Sequence, residues 1–426
     1  MKAGVARMDI TPAAGIPLTG FLNREGPSIG VRDPLYARAL VLDDGERQAA
    51  VVVCDLLALD RHFVASARAS IEDTTGIPGE NIMIATTHTH SGPATIVLRD
   101  CGDVDASYLR ALRQRLVEVT RAAAGDLREA QMGAGSGRVV AGVQNRREPG
   151  GPIDPELGVV RVDDEHGPMA IVLNYACHPV CLGPENRHIS ADYPGRAVQV
   201  IEEQTGALAL FITGAAGNVN PAPDERRLTG AQRLGSRLAA EALRVVTHIP
   251  MAGPHQVTVA SETLDLPLQA PPSAADLEEM IGDHLFQIRA AQEASSPLRA
   301  KWQRALLGWA QATLGAIRKG CVGQTVPAEV QVIGLGDVAL VGIPGELFVE
   351  LGLDIKERSA PTKVLVCGYA NGDIGYIPTR EAYSQGGYEI EEAFKFYGYP
   401  AALAPEAGER LVQAASTVVM RSREKP

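Results

Sequence analysis

The chain has 426 residues, 45% of them hydrophobic, and a formal net charge of −11. That is enough apolar material for one large α/β domain or two smaller ones. The acidic balance argues against nucleic acid or an anionic membrane as the main partner.

Short apolar runs, often β-branched and bounded by Gly, Asp or Pro, predict strands over 39–42, 49–54, 82–86, 158–162, 170–175, 207–212, 257–261, 329–333, 338–343 and 362–367. Apolar residues at helical spacing predict helices over 61–71, 106–124, 194–205, 230–246 and 405–418. Ser190 and Asp192 offer caps for the third of these. Gly133-x-Gly135-x-Gly137 lacks the strand-turn-helix setting of a phosphate loop and reads as a turn. From about Ser273 to Arg318 the pattern is helical, broken at Ser295-Ser296-Pro297, and reads as a hairpin inserted between strands. A lid, an oligomer contact and a packed layer all suit such an insertion. No internal repeat or low-complexity linker is visible. The alternation is that of an α/β fold with mixed sheets and flanking helices. It is expected to be one domain over 1–426 with the insertion at about 273–320.

No apolar run reaches membrane-spanning length, and Met1-Lys2-Ala3-Gly4 does not open an export signal. A cytoplasmic location without membrane insertion is expected. Six scattered cysteines form no disulfide framework. Cys177 and Cys181 flank His178, but no second pair completes a zinc set, so they are expected to be reduced core residues.

Five segments look like functional loops. Thr87-His88-Thr89-His90 ends a strand and opens into Ser91-Gly92-Pro93; on an extended chain both imidazoles would share a face. Asn174 to Pro179 ends an apolar strand with His178. Phe211 to Pro221 runs from a strand into a small-residue turn, whose N–H groups around Gly214–Gly217 can hold an anion or oxyanion. Ile343-Pro344-Gly345-Glu346 sets a carboxylate past a very apolar strand, and Ala370 to Tyr376 sets a tyrosine after two glycines. Asp192, near His188, reads as a helix cap or as a base near a metal, and Arg146 as a substrate contact or a surface partner of Glu148. No GxSxG elbow lies at a strand-to-helix junction.

Taken together, THTHSGP, the strand-end histidine, the G-x-x-N-P turn, PGE, ANGDIGY with its later tyrosines, and the opening AGVARMDITP and YARALVL resemble the neutral/alkaline non-lysosomal ceramidase family, from the N-terminus to about Tyr399. The resemblance implies a zinc ion held by His88, His178, Glu346 and Tyr376. It places His90 and Arg146 near the substrate's polar head, with Tyr388 and Tyr397 lining that pocket. Imidazole and carboxylate are common zinc donors, and a set without cysteine leans catalytic. Tyrosine is less usual, its free phenol titrating near 10.

Two departures shape the expected chemistry. The family's ceramide-cleaving members carry a nucleophilic serine in a G-D-x-S-P turn. Here the turn reads Gly217-Asn218-Val219-Asn220-Pro221, and the Asn220 amide cannot be that nucleophile. With the sequence running to Pro426, the extra C-terminal β-domain of the long ceramidases is not expected. The expected activity is therefore zinc-dependent hydrolysis of a C–N amide bond by metal-activated water. Asn220 would donate to the substrate or oxyanion, His90 would shuttle the proton, and Arg146 would hold a carboxylate, phosphate or hydroxyl-rich group. An aromatic content of 4% points to a small polar substrate rather than a long lipid. Ester, lactone or phosphoester hydrolysis and a non-catalytic zinc-holding binding protein are the competing readings, and a homo-oligomer is left open.

Overall fold

The structure, a computed structural model, describes residues 1–253 and 255–423. Three assemblies built on four main strands recur along the chain, the first extended at one edge by the two-residue strand Arg128–Glu129. In the first, β1 (Lys2–Asp9), β2 (Tyr36–Asp43) and β3 (Gln48–Cys54) form an antiparallel meander; β4 (Ile82–Thr86) lies parallel to β3 after the crossover helix α1 (Arg61–Thr75), and α2 (Ala106–Gly125) follows. In the second, β5 (Gln131–Arg138), β6 (Glu156–Asp164) and β7 (Gly167–Tyr175) are the meander; β8 (Leu208–Thr213) lies parallel to β7 after α3 (Asp192–Thr205), and α4 (Leu228–Val246) follows.

The third assembly repeats the scheme with β9 (Val257–Pro267), β10 (Thr325–Leu335) and β11 (Val338–Gly342). Helices α5 (Ala274–Glu293) and α6 (Pro297–Arg318) interrupt the β9–β10 connection, α7 (Val349–Arg358) is the crossover to parallel β12 (Lys363–Cys367), and α8 (Ala407–Arg423) closes the chain. The order β-β-β-α-β-α thus occurs three times, although no repeat shows in the sequence. The repeat lies in the binary pattern and chain order, which many unrelated side chains satisfy.

Side-chain alternation explains how the three assemblies pack. Along β3, Val51 and Val53 point to a core shared by all three sheets, where they meet Val160, Val172, Leu210, Leu340 and Leu365. Ala50, Val52 and Cys54 point the other way, onto Val64, Ile71, Leu112 and Leu116 of α1 and α2. β6–β8 repeat this against α3 and α4, and β10–β12 against α7 and α8. Strands covered on both faces read as continuous apolar runs, which is why they were visible without a polar alternation.

The α/β expectation with mixed sheets holds, and the hairpin falls at α5 and α6, broken at Ser295 (φ 50). Three local expectations are corrected. The Gly133-x-Gly135-x-Gly137 segment is strand β5, not a turn; a Cβ at these positions would stand 2.4 Å from the Pro250 carbonyl oxygen, 2.8 Å from Val245 and 2.4 Å from Glu241. The glycines let α4 lie close on the sheet. Asp192 is not the cap residue of α3: Ala191 holds that position, Ser190 Oγ accepts the Asp192 N–H, and Asp192 lies in the first turn at φ 55. Strand β1 and helix α7 were not expected at all. The six cysteines are unpaired, and all but Cys321 are buried. Among the described residues, no helix is long and apolar enough to cross a membrane.

Candidate metal centre

Open α/β sheets gather ligands beyond the carboxyl ends of their parallel strands. Here three such ends converge. His88 follows β4, His178 follows β7 and Glu346 follows β11. Each imidazole is anchored through Nδ1 to a backbone carbonyl: His88 to Leu57 at 2.8 Å, His178 to Ala216 at 2.6 Å and His90 to Gly20 at 3.0 Å. A carbonyl can only accept, so these contacts assign the proton of each neutral ring to Nδ1. The Nε2 lone pairs are left facing inward.

They face one another. His88 Nε2 lies 3.3 Å from His90 Nε2, and the ligand atoms of His88, His90 and His178 all fall within 4.8 Å of one another. Glu346 Oε2 lies 3.0 Å from His178 Nε2 and 3.5 Å from His88 Nε2. Its Oε1 accepts the Tyr397 hydroxyl at 2.6 Å. Glu346 Oε2 and His178 Nε2 are buried without a hydrogen-bond partner. Buried acceptors pointing at each other with no donor between them are costly. A cation at their centre removes that cost, so the donor set fits a metal ion.

Electrostatics keeps the donors in the form a metal requires. Burial lowers His178 to about 4 against the raising influence of Glu346. Burial, reinforced by His88 and His178, holds His90 well below the ordinary histidine range. Tyr376 pairs with Glu346 in a short parallel bridge, and its ring stacks 6.5 Å from that of His178. Burial raises its phenol well above 10, with the Arg146 charge opposing.

The HxH pair reaches the site by a different route from the one its spacing suggests. His88 is not extended; it has φ 64 and stacks on Tyr369 at 3.9 Å. The rings meet because the turn, not the strand pleat, brings them together. Such left-handed non-glycine backbone costs about 1–3 kcal/mol and persists only where the surroundings impose it. Tyr369 (φ 55) and Asn371 (φ 61) share the conformation beside the same site.

A pocket of about 650 Å³ opens over these donors. Arg146, Asn220, Tyr388 and Tyr397 line it, as do His88, His90, His178, Glu346 and Tyr376. Gly217 does not: its N–H donates to Leu347 O at 2.8 Å, and a Cβ there would stand 2.4 Å from the Glu346 carbonyl oxygen. Gly214 likewise donates to Tyr175 O. The turn supports the Glu346 backbone rather than a bound anion. Arg146 does not pair with Glu148; its Nε donates to Glu389 Oε1 at 2.8 Å, and its guanidinium lies 5.2 Å over the Tyr376 ring. Arg147 Nη1 donates to the other Glu389 oxygen at 2.6 Å. Asp192 is no base at the metal: its carboxylate accepts the Leu182 and Tyr193 N–H groups and lies outside this pocket. Asn220 Oδ1 is buried and unpartnered.

Much of the wall was not foreseen. Phe21, Leu57, Leu98, Trp302 and Phe396 make one side apolar, with Leu298 at the rim. Arg24, 5% exposed, donates to the carbonyls of Thr19, His90 and Asn186 and ties three loops together beneath the site. Glu389 holds both arginines. None of these has a local sequence signal, because each acts on partners far away in the chain.

The family described as neutral/alkaline non-lysosomal ceramidase, N-terminal, matches residues 1–216. A neutral ceramidase of Mycobacterium tuberculosis is 23% identical over 91% of this chain and 73% of its own length. A neutral ceramidase of Pseudomonas aeruginosa is 24% identical over 91% of this chain and 68% of its own. The crystal structure of neutral ceramidase from Pseudomonas aeruginosa superposes with a TM-score of 0.77 at 19% identity, covering 100% of this chain and 75% of that one.

Proposed function

The chain belongs to the neutral/alkaline non-lysosomal ceramidase family, and from that premise we propose that it is a zinc-dependent hydrolase of an amide bond whose acyl part is apolar. The observation that carries the reading is the ring of inward-facing acceptors, His88, His178 and Glu346, at the floor of a pocket with an apolar wall. Those three residues and Tyr376 would hold the ion. When bound there, zinc lowers the pKa of water toward neutrality and polarises a carbonyl oxygen.

The chain's own groups do the rest. His90, neutral because burial lowers its pKa, offers Nε2 as the proton acceptor while Gly20 O keeps its other nitrogen protonated. Asn220 turns an otherwise unsatisfied amide toward the pocket and can hydrogen-bond a carbonyl or the departing amine. It forms no acyl intermediate. Arg146, neutralised by Glu389 and stacked on Tyr376, orients a neutral polar group rather than supplying a free charge. Phe21, Leu98, Trp302 and Phe396 exclude water along the acyl arm. This wall favours an apolar acyl chain over the small polar substrate expected from composition.

N-acyl amides of graded chain length, including a short-chain ceramide, test the proposal. Hydrolysis is expected to require one zinc per chain by elemental analysis, to stop on chelation and return with zinc, and to improve with acyl length. Full activity in verified metal-free protein, or turnover of esters and phosphoesters but of no amide, would refute it.

A further inference from the structure

A second cavity, of about 720 Å³, lies between the β1–β2 side of the first sheet and helices α3 and α4. It shares no lining residue with the metal pocket. Four arginines face it: Arg7, Arg32, Arg38 and Arg196. Counting hydrogen bonds there shows acceptors spent and donors unspent. Asp55 accepts Arg38 Nη1 at 2.8 Å and the Tyr36 N–H at 2.9 Å. Glu202 pairs with Arg7. Asp192 is taken by backbone N–H groups. Asp33 accepts Ser190 Oγ at 2.9 Å and the Ala191 N–H at 2.6 Å.

On the donor side, Arg38 is 5% exposed and its Nε is buried without a hydrogen-bond partner, 3.8 Å from Glu202 Oε1. Arg196 spends Nε on Ser236 and Nη1 on Gln199, leaving Nη2 uncommitted. Arg32 has no acidic partner among the described residues, and its guanidinium makes no hydrogen bond there. A guanidinium carries five donors and no acceptor. A cavity with this surplus calls for a ligand rich in acceptors, and forked guanidinium donors match planar or tetrahedral oxyanions. Asp33 and Asp192 are the carboxylates lining the cavity without a cation among the described residues; burial raises both, Asp33 to about 6, and both are occupied by hydrogen-bond donors of the protein.

We propose that this cavity is a binding site for a small molecule bearing an oxyanion, carboxylate or phosphoryl, held by Arg32 and Arg196 with Arg38 at its base. The site is independent of the amide-hydrolase reading, and its test needs no turnover.

Calorimetric titration of zinc-loaded protein with inorganic phosphate, against sodium chloride of matched ionic strength, is the experiment. One saturable site per chain is expected, with affinity reduced at least about tenfold in Arg32→Gln/Arg196→Gln. The single Arg32→Gln variant, altered at an exposed position, should show part of that loss with its melting temperature and zinc content unchanged. Acetate in place of phosphate separates the two sources: tighter acetate binding assigns a carboxylate ligand, tighter phosphate binding a phosphoryl one. No saturable binding of either, or equal affinity in wild type and double variant, would overturn the proposal, since in the latter case the anion occupies the metal centre.

Discussion

The two ends of the candidate metal pocket are built by different means. Its floor comes from the three repeated assemblies, each supplying a strand end, and every imidazole is pinned through Nδ1 by a backbone carbonyl. Its wall comes from additions to that plan: the loop at Gly20–Asn23, the α5–α6 hairpin, and the segment carrying Tyr388, Phe396 and Tyr397. Trp302 of α6 packs 5.3 Å from Phe396, and Lys301 Nζ donates to Leu22 O at 2.6 Å, so the additions brace one another. The lesson is a division of labour in which the scaffold sets the chemistry and the insertions set what enters.

Substitutions at the floor should break this division most severely. Glu346→Gln removes the only charged donor and is expected to lower bound zinc to a small fraction and kcat/KM by roughly 10³-fold or more. Elemental analysis beside kinetics checks it, and a fully active variant lacking zinc would contradict the division.

Next in size is the pH response of the metal-free floor. His178 is held down to about 4 in the fold, whereas an unfolded histidine titrates near 6.5. The folded state therefore binds fewer protons between those values, and stability should fall as pH drops through that window, by on the order of 2–3 kcal/mol. Urea unfolding of metal-free protein between pH 4 and pH 7 measures it. His178→Gln should flatten the slope, and an unchanged slope would remove the neutral-ring assignment.

Tyr397→Phe sharpens the comparison, because Tyr397 belongs to an insertion yet bonds the floor through Glu346. Losing that hydrogen bond is expected to weaken zinc binding by roughly 10–100-fold, read by chelator competition. Smallest is Trp302→Ala, a wall change. It should raise KM about tenfold for long acyl amides and barely alter short ones or zinc content. Equal effects on both chain lengths would assign Trp302 to support of the floor instead.

Particular residues show how far the sequence carried this picture. The strand ends at His88, His178 and Glu346 were legible because apolar runs stopped abruptly at residues able to hold a metal. Strand β1 was not, because six of its eight residues are exposed or partly exposed and its apolar pattern is weak. Gly217 misled, since a small-residue turn looks the same whether its N–H groups face a ligand or, as here, the Leu347 carbonyl. Glu389 was invisible, lying 243 residues from Arg146.

By itself, the chain's residue order determined the α/β class, the inserted hairpin and which side chains carry donors, because local periodicity and residue chemistry are written one position at a time. Only the tertiary structure decided that three assemblies share one core, that the imidazole lone pairs meet, and that the pocket wall is apolar. Those are relations between segments far apart in sequence, set by packing and hydrogen bonding that no local pattern encodes.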